Sequence, residues 1–215
     1  MKKVIGILLA GVMVVMIAEP AAAQLHFSAI KLGYLNPKDT KAGFIIGTEI
    51  SDYVDESVSL GLSVNLFRKS FTALTPVAQQ DFPSGVRETT IQKELEFSTT
   101  FLPIMGQATV NIPSSGNLGW YVGGGLGYEF LWNNEKNFTS QPTTSDRRFY
   151  KGFVWMLDAG LRYRVGSRSS LLFEAFYHNS AVKRNKTNSP AGLPVWSEVD
   201  LSGLGFRFGL GFGGW

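Results

Sequence analysis

The 215-residue chain contains no cysteine. That absence excludes disulfide bonds and thiolate metal sites, and it excludes an N-terminal lipid anchor behind a leader. Charge is sparse: charged residues make up 17% of the chain, and 20 basic against 17 acidic side chains leave a formal net of +3. Such a balance points away from nucleic acid as a partner. Beyond residue 24 no run of eighteen apolar residues occurs, so helical membrane spans are not expected. The mean hydropathy is close to neutral, at +0.04. What the chain does hold is glycine (24 residues) and aromatic side chains (13%). A near-neutral average is also what results when lipid-facing and lumen-facing residues alternate and cancel.

The N-terminus reads as an export signal. Met1-Lys2-Lys3 is a short basic start, residues 4–18 are uncharged and mostly apolar, and Ala21-Ala22-Ala23 is a small-residue cleavage site before Gln24. This is the layout of a secretory signal peptide over residues 1–23, followed by a mature domain of residues 24–215. The apolar run is shorter than the about 20 residues a spanning helix requires. Removing Lys2, Lys3 and Glu19 leaves 18 basic and 16 acidic residues in the mature chain.

The last fifteen residues show the pattern that organises the rest. Leu204, Phe206, Phe208, Leu210 and Phe212 occupy alternate positions, interleaved with Gly205, Arg207, Gly209 and Gly211. In a strand this gives one apolar face and one face of glycines with an arginine. Seven earlier segments alternate similarly: about 27–36, 42–52, 57–68, 89–102, 118–132, 149–165 and 170–180, with the eighth at 196–212. The third is the cleanest, with Val58, Leu60, Leu62, Val64 and Leu66 against Ser59, Gly61, Ser63 and Asn65. The fourth is read with Ile91, Leu95, Phe97 and Phe101 on the apolar face and Gln92, Glu94, Glu96 and Ser98 opposite. Residues 69–88, 133–148 and 181–195 are polar and read as long loops, while Gly166-Ser167-Arg168 makes a tight turn. Gly123-Gly124-Gly125-Leu126-Gly127 lies inside a strand rather than between a strand and a helix, so it is not read as a phosphate-binding loop.

These segments predict an all-β fold: an eight-stranded antiparallel up-and-down transmembrane β-barrel. An even strand number puts both ends on one side. Short periplasmic turns and longer outer loops then place 69–88, 133–148 and 181–195 outside the cell. Tyr34, Tyr128, Trp132 and Tyr177 fall near the outer strand ends, and Trp120, Tyr163, Phe212 and Trp215 near the inner ends. Two aromatic girdles are what the interfaces of a bilayer favour. A soluble lipocalin-like barrel has the same strand number but explains neither the export signal nor an apolar face on every strand. The predicted inward charges are Lys31, Glu49, Glu94, Glu96, Glu129, Asp158, Arg162, Arg164, Glu174 and Arg207. An eight-stranded barrel is just wide enough for its side chains to fill it, and enclosed charges must pair. A charge network filling the lumen is therefore expected, with a narrow path for small solutes as the alternative.

The pieces Gly119-Trp120-Tyr121-Val122-Gly123, Phe173-Glu174-Ala175-Phe176-Tyr177-His178 and the aromatic C-terminal strand resemble the small outer-membrane barrels of Gram-negative bacteria of the OmpA, OmpX and OmpW type. The resemblance implies the outer membrane as location, outer-membrane lipid and lipopolysaccharide as surroundings, insertion by the barrel assembly machinery, a monomer, and no cofactor or metal. The chain ends in Trp215 where that family commonly ends in Phe, and Gly213-Gly214 shift it out of phase with Phe212. The implied role is a structural or surface-interaction protein. A second resemblance is to the outer-membrane lipid A deacylase: His178 as base, Ser180 as nucleophile and Glu198 orienting the imidazole. Ala181 stands where that pattern has Asn, and the strand phase puts the pair toward the lumen. The basic cluster Lys183, Arg184 and Lys186 fits either a solvated loop or contact with lipopolysaccharide phosphates.

Overall fold

The computed structural model describes residues 26–81, 87–112, 114, 116–138, 144–188 and 194–213. The predicted signal peptide 1–23 and the terminal Trp215 lie outside these residues. Nine strands follow in order: β1 (His26–Pro37), β2 (Gly43–Tyr53), β3 (Val58–Asp81), β4 (Arg87–Ile112), β5 (Leu118–Asn137), β6 (Thr144–Arg164), β7 (Ser169–Asn188), β8 (Pro194–Asp200) and β9 (Gly203–Phe212). Consecutive strands from β1 to β7 pair antiparallel, β7 pairs with β9, and β9 pairs with β1. The sheet therefore closes on itself, which removes the edges that an open sheet exposes.

β8 and β9 are two parts of one barrel strand. Ala181 pairs with Asp200 and His178 with Gly203, so the register against β7 is unchanged across residues 201 and 202. The barrel is thus eight-stranded, as the alternation predicts. The interruption is tied to the β1–β2 turn: the amides of Lys38 and Asp39 donate to the carbonyls of Ser202 and Asp200 at 2.9 and 3.0 Å.

Outward and inward faces follow the two-residue period. Phe153, Leu157 and Tyr163 on β6 and Phe206 and Phe208 on β9 are exposed, while Val154, Met156 and Asp158 on β6 and Arg207 on β9 are buried. A strand tilted by 35–45° needs about ten residues to cross an apolar band of about 25 Å. Phe153–Tyr163 on β6 supplies that span with apolar residues at every outward position, and Leu171–Ala181 on β7 does so except at Asn179.

The strands run much further than the lipid band requires. β3 and β4 stay paired from Val58 and Val110 to Asp81 and Arg87. The predicted loops 69–88, 133–148 and 181–195 are accordingly corrected to strand over most of their length, and β4 extends to Ile112 rather than ending at 102. Polar composition reads as loop, yet above a membrane a paired hairpin needs no apolar face. The phase of β4 is corrected as well. Phe101 points inward and is fully buried with Met105 and Gln107, and Glu96 shares the opposite phase with Thr100 and Leu102. The alternation around Ile91 misleads because that part of β4 lies past the band, where both faces meet water. Short connections, from Tyr53 to Val58, Ile112 to Leu118 and Arg164 to Ser169, join the strands at the other end, the turn end of the barrel.

Candidate functional site

The lumen contains two layers of side chains. The layer nearer the turn end is polar and centres on Glu174 of β7. Lys31 of β1 reaches Glu174 Oε2 at 2.7 Å and Glu49 Oε2 at 3.0 Å. Arg207 of β9 donates from Nε to Glu174 Oε1 at 2.7 Å, pairs with the same oxygen through Nη2, and donates from Nη1 to Asn65 Oδ1 at 2.7 Å. The Tyr121 hydroxyl donates to Glu174 Oε2 at 3.1 Å. The Arg207 guanidinium also lies 4.3 Å from the centre of the Phe176 ring, a cation–π contact out of water. Asp158 Oδ2 accepts from the Gln107 amide at 3.3 Å. The barrel cross-section brings these residues together: adjacent strands β7, β9, β1 and β2 present Glu174, Arg207, Lys31 and Glu49 to the same level. Glu174 thus has two cations and a hydroxyl around it, the condition under which a buried carboxylate is tolerable.

The second layer, nearer the hairpin end, is apolar. Leu35, Ile45, Phe67, Phe101, Met105, Leu131, Val154, Met156, Phe176, Val182 and Leu201 pack as one buried cluster, joined by Tyr150. Phe67 and Phe101 stack with ring centres 4.3 Å apart and planes 10° from parallel. His178 and Glu129 are enclosed beside this cluster. Nε2 of His178 lies 3.2 Å from Oε1 and 3.3 Å from Oε2 of Glu129, and its ring stacks against Phe101 at 5.9 Å. Below the polar layer, a cavity of about 260 Å³ opens toward the turn end, running from His26, Tyr53 and Arg162 up to Lys31, Glu49 and Tyr121.

Six of the predicted lumen charges are buried inside: Lys31, Glu49, Glu129, Asp158, Glu174 and Arg207. Arg162 is half-buried at the mouth, where its Nη1 donates to the Tyr53 hydroxyl at 3.1 Å. Arg164 shares the inward phase but is exposed beyond the strand's last enclosed turn, so it is corrected from the interior to the rim. Glu96 is corrected to the outward phase, and the side chain of Glu94 lies outside the described residues. Sequence reasoning missed Tyr121, Asn65 and Gln107 as partners and missed most of the apolar layer. The phase of β5 and β3 already points Tyr121, Asn65 and Phe67 inward. Tyr34, Trp120, Tyr128, Tyr163, Tyr177 and Phe212 are exposed on the outer face and Trp132 is half-buried there.

The deacylase-like trio is not assembled. His178 and Ser180 are both buried in the lumen and the carboxylate beside His178 is Glu129. Glu198 is on the outer face, paired with Lys183 at 3.1 Å. No group of three or more His, Cys, Asp or Glu side chains suited to a metal occurs among the described residues.

A search of the curated proteins finds no match. Among solved structures, the chain is similar to a major outer membrane protein from Thermus thermophilus, at 11% identity and a TM-score of 0.53, over 86% of this chain and 98% of that one. It is also similar to the outer membrane protein OprG from Pseudomonas aeruginosa, at 11% identity and a TM-score of 0.51, over 87% of this chain and 96% of that one. At such identities the likeness is one of fold. The model of the outer membrane protein beta-barrel domain matches residues 21–180, most of the chain, and with the closed, outwardly apolar barrel it places the protein in that family and in the outer membrane.

Proposed function

We propose that this is a closed barrel whose work is done at its surface, as a structural or surface-interaction protein of the outer membrane. The observation that carries the reading is the filled lumen: an ion-paired layer and an apolar layer lie in series across it. The strand lengths support the surface role. β3 has 24 residues, about 80 Å of extended chain, where about ten residues cross the band. β2 pairs with β3 only as far as Arg68, so residues 69–81 of β3 pair with β4 alone. Its other edge carries main-chain donors and acceptors of the kind that accept an added strand. The short turns at one end and the long hairpins at the other favour an orientation with the hairpins outside the cell.

The second reading is a narrow channel, favoured by the cavity that enters from the turn end and reaches Lys31 and Glu49. The two readings part in planar bilayers. The purified folded protein is expected to give no single-channel steps; steady openings overturn the closed reading and leave the channel.

A further inference from the structure

On the outer face, where β6 and β7 separate, two lysines face each other. Lys151 and Lys183 are direct partners in the register, and they are the last pair before the β5–β6 and β7–β8 hairpins diverge. Both are exposed and both stand one outward position beyond the apolar spans of their strands, Phe153–Tyr163 and Leu171–Ala181. Like charges directly opposite on one sheet face repel. Glu198 answers Lys183 from the far side at 3.1 Å. Among the described residues, Lys151 and Arg184 have no ion-pair partner. The divergence opens a groove of about 900 Å³ at this level, walled by Tyr128, Phe153 and Trp196 as well as the three cations. Lys183 also sits over the Trp196 ring at 5.7 Å.

The groove combines an anion-deficient rim with an apolar aromatic wall continuous with the lipid band. The geometry points to a site for the phosphorylated headgroup of an outer-leaflet glycolipid, its phosphate bridging Lys151 and Lys183 and its acyl chains lying along Phe153. A phosphate there relieves the lysine–lysine repulsion, and charge-assisted contacts of this kind are the strong ones. The two long stems can follow the apolar surface while their ammonium groups reach the headgroup level.

The test uses the full folded protein in detergent and native mass spectrometry with diphosphorylated lipid A. A parallel arm uses the same lipid after removal of both phosphates. The phosphorylated lipid is expected to be retained at least about tenfold better. The Lys151→Gln/Lys183→Gln variant is expected to lose that preference, and Lys38→Gln, a lysine at a different rim position, to keep it. A shift in gel mobility on boiling verifies that each variant is folded. Equal retention of the dephosphorylated lipid, or an unchanged preference in the double variant, overturns the site. Displacement by millimolar inorganic phosphate overturns the lipid as occupant, because acyl contacts hold the lipid and not the free ion.

Discussion

Glu174 is the residue on which the polar layer depends. Lys31, Arg207 and Tyr121 all converge on its two oxygens. Removing its charge leaves two buried cations sharing only Glu49 and Asp158 nearby. Breaking a buried pair from one side costs about 3–5 kcal/mol, so Glu174→Gln is expected to lower the unfolding free energy by that order in urea titrations of the vesicle-inserted barrel. A loss below about 1 kcal/mol, the level of an exposed pair, means that the network does not bear on stability. A second residue-scale prediction concerns Asp200 at the hairpin-end rim. Hydrogen bonding from Ser202, first from its hydroxyl and then from its amide, which donates to Oδ1 at 3.0 Å, holds its carboxyl down at about 2, and Lys38 at 3.0 Å adds to this. A depressed carboxylate pKa contributes stability above its ordinary value of 3.8 that is lost as pH falls through about 2. The Asp200 carboxyl carbon is therefore expected to titrate near 2 by NMR, and to move toward 3.8 in Ser202→Ala; a wild-type midpoint already near 3.8 contradicts the contact.

At the scale of the strand, the two-residue period carried most of the fold, and its failures have a common cause. Where lipid lies on one side and the lumen on the other, as along 58–66 or 204–212, alternation identified every face. It says nothing of height along the barrel axis, which is why Arg164 shares the inward phase with Asp158 and still ends at the rim. Past the band both faces are wet, so hydrophobicity marks neither the phase of Glu96 nor the extent of β3 and β4. Pairing partners such as Glu129 with His178 depend on which strands meet across the closed sheet, and that is set by closure rather than by any one segment. The glycines of β5 belong to this scale too. Gly127 points inward, and a methyl group there meets the Ile104 carbonyl oxygen and, at 2.6 Å, the Met105 Cα. Neither backbone atom can yield without opening the β4–β5 ladder. Gly127→Ala is expected to cost about 1–3 kcal/mol, in the range of overpacking, and to reduce the fraction that refolds into vesicles. Gly106→Ala is the control, since a Cβ there meets nothing closer than a carbonyl oxygen at 3.9 Å. Equal refolding of the two variants removes the close-approach argument.

For the whole molecule, the arrangement of the two lumen layers in series makes a stronger claim than either layer alone. The apolar layer turns on the Phe67–Phe101 stack, and the polar layer on the Glu174 cluster. Each spans the lumen by itself, so deleting one leaves the other in place. Phe67→Ala/Phe101→Ala is expected to lose several kcal/mol, about 3–5 for each ring and less than additively because the rings touch. It is nonetheless expected to stay electrically silent in planar bilayers, sealed by Lys31, Glu174 and Arg207. Arg207→Ser/Glu174→Ser is expected to be silent as well, sealed by the apolar layer. Only the four-site variant, provided that its gel mobility shifts on boiling, is expected to conduct, and to do so with the modest current of an eight-stranded lumen. Conductance in the phenylalanine variant alone identifies the polar layer as a lining through which ions pass; conductance in the polar variant alone identifies the aromatic layer as the gap. Silence in all three folded variants means that the remaining buried residues, Met105, Met156 and Phe176 among them, fill the lumen without help from either cluster.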